Sequence, residues 1–415
     1  MKGNLQSRLS ELRRTGEIKT GSQLVEKQLT DNSSDLFPGE GKVIETGKGS
    51  CYMREIQFPL EHRHGTGKLA DILNCHGSEL VLPARDKDLN SLNPCDSLFF
   101  DIETTGLAGG TGTWAFLIGL GWVDRSHFVL RQYFLRRPAE EKAILSHFAE
   151  TVADFPALIS FNGKQFDLPL IQTRQMLAGF KQTEPQFHLD LLQCARLLWR
   201  RRLPSRSLSS LEEALLGVER QNDIPGAEIP AVYFDYLRRG KTNRLKQVFH
   251  HNVLDILSMV TLLDKVSSLS AGKTDEHPAE ALSLGRLCLD SGEIERGVAL
   301  LENASKSKDK ILAEEAALEL SFYYKRLREW EKAAAIWQDI ASNDPAEATA
   351  YVELAKYYEH RCRDFHSARE VTLQALTFES KDCGYSLYSE LHAESLKHRL
   401  GRLARKLDSS SKSIS

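Results

Sequence analysis

The chain has 415 residues, of which 27% are charged and 41% hydrophobic, and its formal net charge is −3. That balance excludes a disordered or membrane-embedded chain, and it gives no global basic field, so any nucleic-acid contact has to come from a local patch. The length suits two or three domains with a core each.

Seven cysteines are scattered with no C-x-x-C pair, which favours free thiols in a reducing cytoplasm. The opening Met1-Lys2-Gly3-Asn4-Leu5-Gln6 lacks the apolar stretch of a signal peptide, and no segment is long and apolar enough to span a bilayer. The expectation is a cytoplasmic protein without a membrane partner.

Residues 1–45 read as a flexible leader: a short charged helical candidate, a polar run, then Pro38-Gly39-Glu40-Gly41. Residues 46–96 read as an N-terminal extension packing on the domain that follows, with Cys51-Tyr52-Met53-Arg54-Glu55-Ile56 as a short strand. From 97 to 270 strands and helices alternate. Strands are expected at 97–107, 114–122, 128–135 and 157–162, the first three as an antiparallel meander. Helices are expected from Pro138 onward and at 168–180, 189–201, 208–216 and 245–269. A meander followed by crossovers implies an α/β domain with a mixed central sheet flanked by helices.

From 277 to 408 the chain is helical and repetitive. Phe322-Tyr323-Tyr324 and Lys356-Tyr357-Tyr358 place paired tyrosines 34 residues apart, the period of tetratricopeptide (TPR) repeats. An all-α TPR-like repeat domain with a protein partner is one expectation, and plain helical hairpins are the other. Residues 409–415 read as a disordered tail.

The chemistry centres on Phe99-Phe100-Asp101-Ile102-Glu103-Thr104-Thr105-Gly106. Side chains alternate along a strand, so Asp101 and Glu103 share a face, where two carboxylates repel. Divalent cations relieve such a pair because they are hard and take oxygen ligands; a strand end dipping into solvent also accommodates it. Ser160-Phe161-Asn162-Gly163-Lys164-Gln165-Phe166-Asp167 puts Asn162 and Asp167 in a strand-to-helix turn, where Asp167 equally suits a helix N-cap. In His250-His251-Asn252-Val253-Leu254-Asp255, His251 and Asp255 lie four apart and share one helix face, which also fits a surface pair. Arg200-Arg201-Arg202, with Arg196, Arg206 and Trp199, is a dense basic run that suits either a phosphate grip or a solvated helix end.

These three acidic stretches resemble the three motifs of the DEDD superfamily of 3′–5′ exonucleases, which has the ribonuclease H-like fold. More narrowly the chain is similar to the YprB-like group of predicted exonucleases. Thr113-Trp114-Ala115-Phe116-Leu117-Ile118-Gly119, Gln132-Tyr133-Phe134-Leu135, His188-Leu189-Asp190-Leu191-Leu192 and Ile224-Pro225-Gly226-Ala227-Glu228-Ile229-Pro230 carry the likeness further. The resemblance covers 97–269 well, 43–93 faintly, and the repeats as an appended module.

It implies that Asp101, Glu103, Asp167 and Asp255 hold two Mg²⁺ or Mn²⁺ ions, with Asp101 bridging them, beside a phosphodiester at a nucleic-acid end. It makes His251 the general base, since imidazole titrates near neutrality. Thr104, Thr105, Leu107 and Asn162 would hold the terminal nucleotide. One departure stands: the superfamily places its tyrosine four residues, or its histidine five residues, before the last acid, whereas here His251 is at minus four and His250 at minus five. Asp190 reads as a supporting acid or as an N-cap. The alternatives are a ribonuclease H-like domain that binds nucleic acid without cutting it, and a protein-interaction scaffold.

Overall fold

The computed structural model describes residues 41–106, 112–240, 242–274, 276–343, 348–379 and 387–412. The chain divides into two compact units at residues 275 and 276.

The first unit is built on a seven-stranded mixed sheet. Its strands are β1 (Lys42–Thr46), β2 (Gly49–Pro59), β5 (Ser97–Thr104), β6 (Ala115–Asp124), β7 (His127–Phe134), β8 (Ala157–Ser160) and β9 (Phe187–Asp190), in spatial order β1-β2-β7-β6-β5-β8-β9. Two short strands, β3 (Arg63–His64) and β4 (Gly67–Lys68), pair separately. The meander β5-β6-β7 is antiparallel, while β8 and β9 join β5 in parallel. Every residue of β8 is buried, as expected of a parallel strand covered on both faces.

Helices α1 (Gly77–Ala84), α2 (Glu141–Ala153), α3 (Asp167–Ala178), α4 (Leu191–Trp199), α5 (Leu208–Leu211), α6 (Ile229–Arg239) and α7 (Leu245–Ser270) complete the unit. The long α7 packs on β5 and β6. Its buried side chains, among them Phe249, Ile256 and Val260, recur at helical spacing. On α6, Tyr233 stacks on Phe116 with ring centroids 4.1 Å apart and donates its hydroxyl to the Leu135 carbonyl at 2.9 Å.

Several expectations change. Lys42–Thr46, assigned to the leader, is an edge strand paired antiparallel to β2; residues 1–40 lie outside the described residues. The stretch expected as an extension supplies β2 to the central sheet, between β1 and β7. Leu189 and Asp190 end strand β9 instead of starting a helix, because Ala157–Ser160 pairs with Phe187–Asp190. The helix expected at 208–216 runs as α5 and then as a π turn, Glu212–Leu216. Helix α6 was not expected, although Pro230 at its start and buried Ile229, Val232, Tyr233 and Tyr236 mark it.

The second unit is helical: α8 (Pro278–Ser291), α9 (Ile294–Ala304), α10 (Lys310–Arg326), α11 (Trp330–Asn343), α12 (Ala348–Tyr357), α13 (Phe365–Glu379) and α14 (Leu387–Lys412). Each of these helices packs on the next. The tyrosine pairs 34 residues apart have matching geometry, with ring centroids 5.7 Å apart in Tyr323–Tyr324 and 5.6 Å in Tyr357–Tyr358, both at 55°. Trp337 is buried and donates its indole N–H to Ser321 at 2.8 Å. Helix α14 continues through Lys412, four residues into the stretch expected as a tail. Among the described residues no helix is long and apolar enough to cross a membrane.

Candidate metal centre and active site

Strand β5 carries Asp101 and Glu103 on one face, at the end of a fully buried apolar run, Leu98, Phe99 and Phe100. Asp167 opens α3, directly after the turn that follows β8, and α7 brings His251 and Asp255. Ligand atoms of Glu103, His251 and Asp255 lie within 4.8 Å of one another. Asp101 and Asp167 join them electrostatically. Burial first, then the charges of Asp255 and Asp167, push the Asp101 carboxyl well above its usual range. Burial, then Asp101, Asp255 and Asp167, does the same to Glu103. Asp167, 7% exposed, is pushed up to about 8 by burial and by the charges of Asp190 and Asp255. Asp255 thus raises the other three carboxyls, as a like charge close by and away from water does.

One polar bridge fixes Asp101. The register sets Asp101 opposite Gly119 on β6, and Gly119 opposite Gln132 on β7. Fully buried Asn252 lies over this row: Gln132 Nε2 donates to Asn252 Oδ1 at 2.8 Å, and Asn252 Nδ2 donates to Asp101 Oδ2 at 2.7 Å. A Cβ on Gly119 would stand 2.2 Å from Asn252 Oδ1, so only glycine admits the bridge. A similar constraint acts at Gly163, whose Cβ would stand 2.4 Å from Ser160 Oγ and 3.2 Å from Asp167 Oδ2.

A second network holds His251 and Asp255. His251 Nδ1 is 2.9 and 2.8 Å from the two oxygens of Asp223. The imidazole thus stands between two carboxylates, Nδ1 against Asp223 and Nε2 3.6 Å from Asp255 Oδ2. Arg220 donates to Asp255, to Asp223 at 3.0 Å, and bidentately to buried Glu212 at 2.6 and 2.7 Å. Burial raises the Asp255 carboxyl against the opposing charges of His251 and Arg220. At Asp223 burial acts upward too, but Arg220 and His251 hold the group below its usual range. Glu212 also accepts from Ser258, whose hydroxyl is 2.7 Å from His64 Nε2. Burial drives His64 down to about 4, which keeps it neutral at physiological pH.

A family model of the RNase H superfamily matches residues 98–267. Across 429 aligned residues the chain is 31% identical to "Uncharacterized protein YprB" of Bacillus subtilis (strain 168), spanning 98% of this chain and 100% of that protein. The chain belongs to the YprB family. Its RNase H superfamily domain supports a nucleic-acid-processing role.

In this YprB-family chain the other expected site residues lie as follows. Asn162 has a left-handed backbone (φ 67°), and its N–H donates to Asp190 at 2.8 Å. Asp190 does two jobs: it caps α4 through the Leu192 N–H at 3.0 Å and ties down the turn leading to Asp167. Asp167 is not an N-cap, since the cap position of α3 is Phe166 and has no side-chain bond. Thr104 donates its hydroxyl to the Gly106 carbonyl at 3.0 Å, and Thr105 accepts from the Trp114 N–H at 2.9 Å, so both brace the end of β5. Leu107 lies outside the described residues. His250 is exposed on α7, whereas His251 faces the acids. Arg196 and Arg200 are exposed at the end of α4, and Arg206 donates to the carbonyls of Leu203 and Pro204 at 3.1 and 2.9 Å.

Sequence reasoning missed Asn252, Gln132, Glu212, Arg220 and Asp223. The available signals were an amide on the helix that carries His251 and a charged run, Glu219-Arg220-Gln221-Asn222-Asp223, ahead of Pro225-Gly226.

Proposed function

We propose that the first unit is a divalent-metal-dependent 3′–5′ exonuclease that hydrolyses phosphodiester bonds at nucleic-acid ends. The single observation that carries this is the gathering of four carboxyls, Asp101, Glu103, Asp167 and Asp255, from three distant stretches of chain, each held above its usual titration range first by burial, and the first three also by the charge of Asp255. Such a cluster is costly unless protonated or bound to cations, and oxygen-only donors with one imidazole beside them suit Mg²⁺ or Mn²⁺. These four acids would hold the ions, which when bound supply an activated water and neutralise charge on the leaving oxygen.

The chain's own residues do the rest. Asn252 holds Asp101 in place through one carboxylate oxygen. Asp223 orients His251 through Nδ1, so that Nε2 faces Asp255, where it would take a proton from the attacking water. Arg220 neutralises part of the negative charge of Asp255 and Glu212. Thr104 and Thr105 shape the strand end beside which the terminal nucleotide would lie. The matched tyrosine geometry 34 residues apart supports a TPR-like reading of the second unit.

The deciding experiment incubates the purified chain with 3′- or 5′-labelled single strands in Mg²⁺ or Mn²⁺. Mononucleotides released stepwise from the 3′ end, and lost in Asp101→Ala or with chelator, support the reading. Strands that stay intact in both metals, or a variant as active as the wild type, overturn it.

A further inference from the structure

The second unit contains an open groove of about 650 Å³ between the first helices of successive hairpins, α8 and α10, and the turn after α12. Its lining holds five cations and two acids, although residues 276–415 as a whole carry 20 Lys and Arg against 24 Asp and Glu. The positive charge is therefore concentrated at this place rather than spread over the unit.

Two of the five cations are matched by acids: Arg286 lies 3.2 Å from Glu319, and Lys325 pairs with Glu353. The other three, Arg326, Arg328 and Arg361, are exposed and have no acid within ion-pair distance among the described residues. Arg361 instead lays its guanidinium over the Trp330 ring, 4.0 Å from the centroid, and Phe322 offers a second, half-buried ring in the same groove. Arg328 is held at the corner between α10 and α11 by a left-handed backbone (φ 63°), which fixes its side of the rim.

We infer that this groove binds single-stranded nucleic acid, as a second site separate from the acidic cluster of the first unit. Three arginines without acidic partners offer planar forks to phosphates. An indole with a guanidinium stacked on it, and a phenyl ring beside it, present flat surfaces on which unpaired bases stack without regard to sequence. An acidic peptide would use the cations but leave the two rings unexplained, so the nucleic-acid occupant accounts for more of the lining. The inference rests on the nuclease reading only for the choice of polyanion.

The test measures fluorescence anisotropy of labelled single strands of about 12 nucleotides, a length within the usual site size for such grooves. It uses the full chain carrying Asp101→Asn in chelator, so that neither metal nor cleavage enters. Arg326→Glu, Arg328→Glu and Arg361→Glu together are expected to weaken binding by at least about tenfold, and to flatten the plot of log affinity against log salt by about 2, at about 0.7 per lost phosphate contact. Trp330→Ala with the arginines intact is expected to weaken binding while leaving the salt slope alone. Unchanged affinity and slope in the triple variant overturn the inference. So does displacement of the strand by polyglutamate at matched ionic strength with no effect of Trp330→Ala, which would assign the groove to an acidic protein segment. Because binding is read without turnover, an inactive first unit does not touch this result. Conversely, the triple variant in the wild-type background should hydrolyse a dinucleotide as fast as the parent chain if the nuclease reading holds.

Discussion

Asn252 Nδ2 lies 2.7 Å from Asp101 Oδ2, while its Oδ1 accepts from Gln132, so a helix amide crosses two strands to grip the central acid. A partner of this kind orients a ligand without touching the ion. Asn252→Leu, which keeps the volume and removes both bonds, is expected to lower metal affinity or turnover by about 10–100-fold. Gly119→Ala should reach a similar loss by another route, since its methyl group would fall on Asn252, and should cost about 1–3 kcal/mol of stability. Mg²⁺ titration calorimetry and thermal melts of both variants check this; wild-type affinity in Asn252→Leu would remove Asn252 from the site.

Replacing an acid of a crowded cluster should have opposite effects on activity and on metal-free stability. Asp101→Asn keeps an oxygen acceptor for Asn252 and removes one of the mutually repelling charges. It is expected to abolish hydrolysis, to raise the melting temperature in chelator near pH 8 by a few degrees (on the order of 1 kcal/mol per 2–4 °C), and to shrink the rise that Mg²⁺ gives the parent chain. A melt that is lower in chelator would show that Asp101 is held by attraction and not repulsion.

The raised carboxyls also dictate how the metal-free chain responds to pH. Asp167 titrates near 4 when unfolded and at about 8 when folded, and Asp101, Glu103 and Asp255 shift in the same direction. A raised folded value means the folded state holds its proton longer. The stability this group contributes is complete below about pH 4 and is lost progressively as pH rises through about 8. Melting temperature in chelator should therefore fall between about pH 5 and pH 8, and the stabilisation by Mg²⁺ should grow across the same window, with protons released on binding. Denaturation scans with and without Mg²⁺, and calorimetry in buffers of different ionisation enthalpy, read both; a metal-free melt that climbs toward pH 8 contradicts the assignment.

His251 and Asp223 form a dyad whose members should separate kinetically. His251→Gln is expected to lower turnover by about 10²–10⁴-fold, the usual share of a positioned base. Asp223→Asn keeps the shape but offers an amide in place of the carboxylate facing Nδ1. It should cost about 10–100-fold in kcat with little change in KM. An Asp223→Asn variant with the parental kcat, measured beside His251→Gln, would remove Asp223 from the dyad.

The sheet was legible where strands are long and apolar. Leu98 to Ile102, Phe116 to Leu120 and the alternating 128–135 stretch each declare themselves by composition. Phe187–Asp190 did not, because a four-residue strand running straight into an amphipathic helix shows one continuous apolar pattern. Lys42–Thr46 was hidden by the Gly- and Pro-rich stretch before it, and its pairing partner lies only across a tight turn. Helix α6 was obscured by its aromatic and β-branched residues, which carry weak helix propensity but bury well against the sheet.

At the candidate site the acids could be found from their order and context, because carboxylates on apolar elements stand out. Their supports could not. Asn252 is recognisable only once α7 is laid across Asp101 and Gly119, a register no local pattern encodes. Glu212, Arg220 and Asp223 come from a π turn and a loop whose partners lie 28 to 46 residues further along the chain. Buried charged networks of this sort are defined by mutual satisfaction, which needs all members in view.

The pairing of Tyr52–Pro59 with His127–Phe134 bears on how this protein is handled. A fragment trimmed to the matched span, 98–267, would leave the eight-residue edge of β7 that faces β2 with bare backbone donors and acceptors and no strand to cover them. Such a rim recruits strands from other molecules, so the trimmed fragment is expected to sediment as aggregates, while a chain beginning ahead of Lys42 stays dispersed.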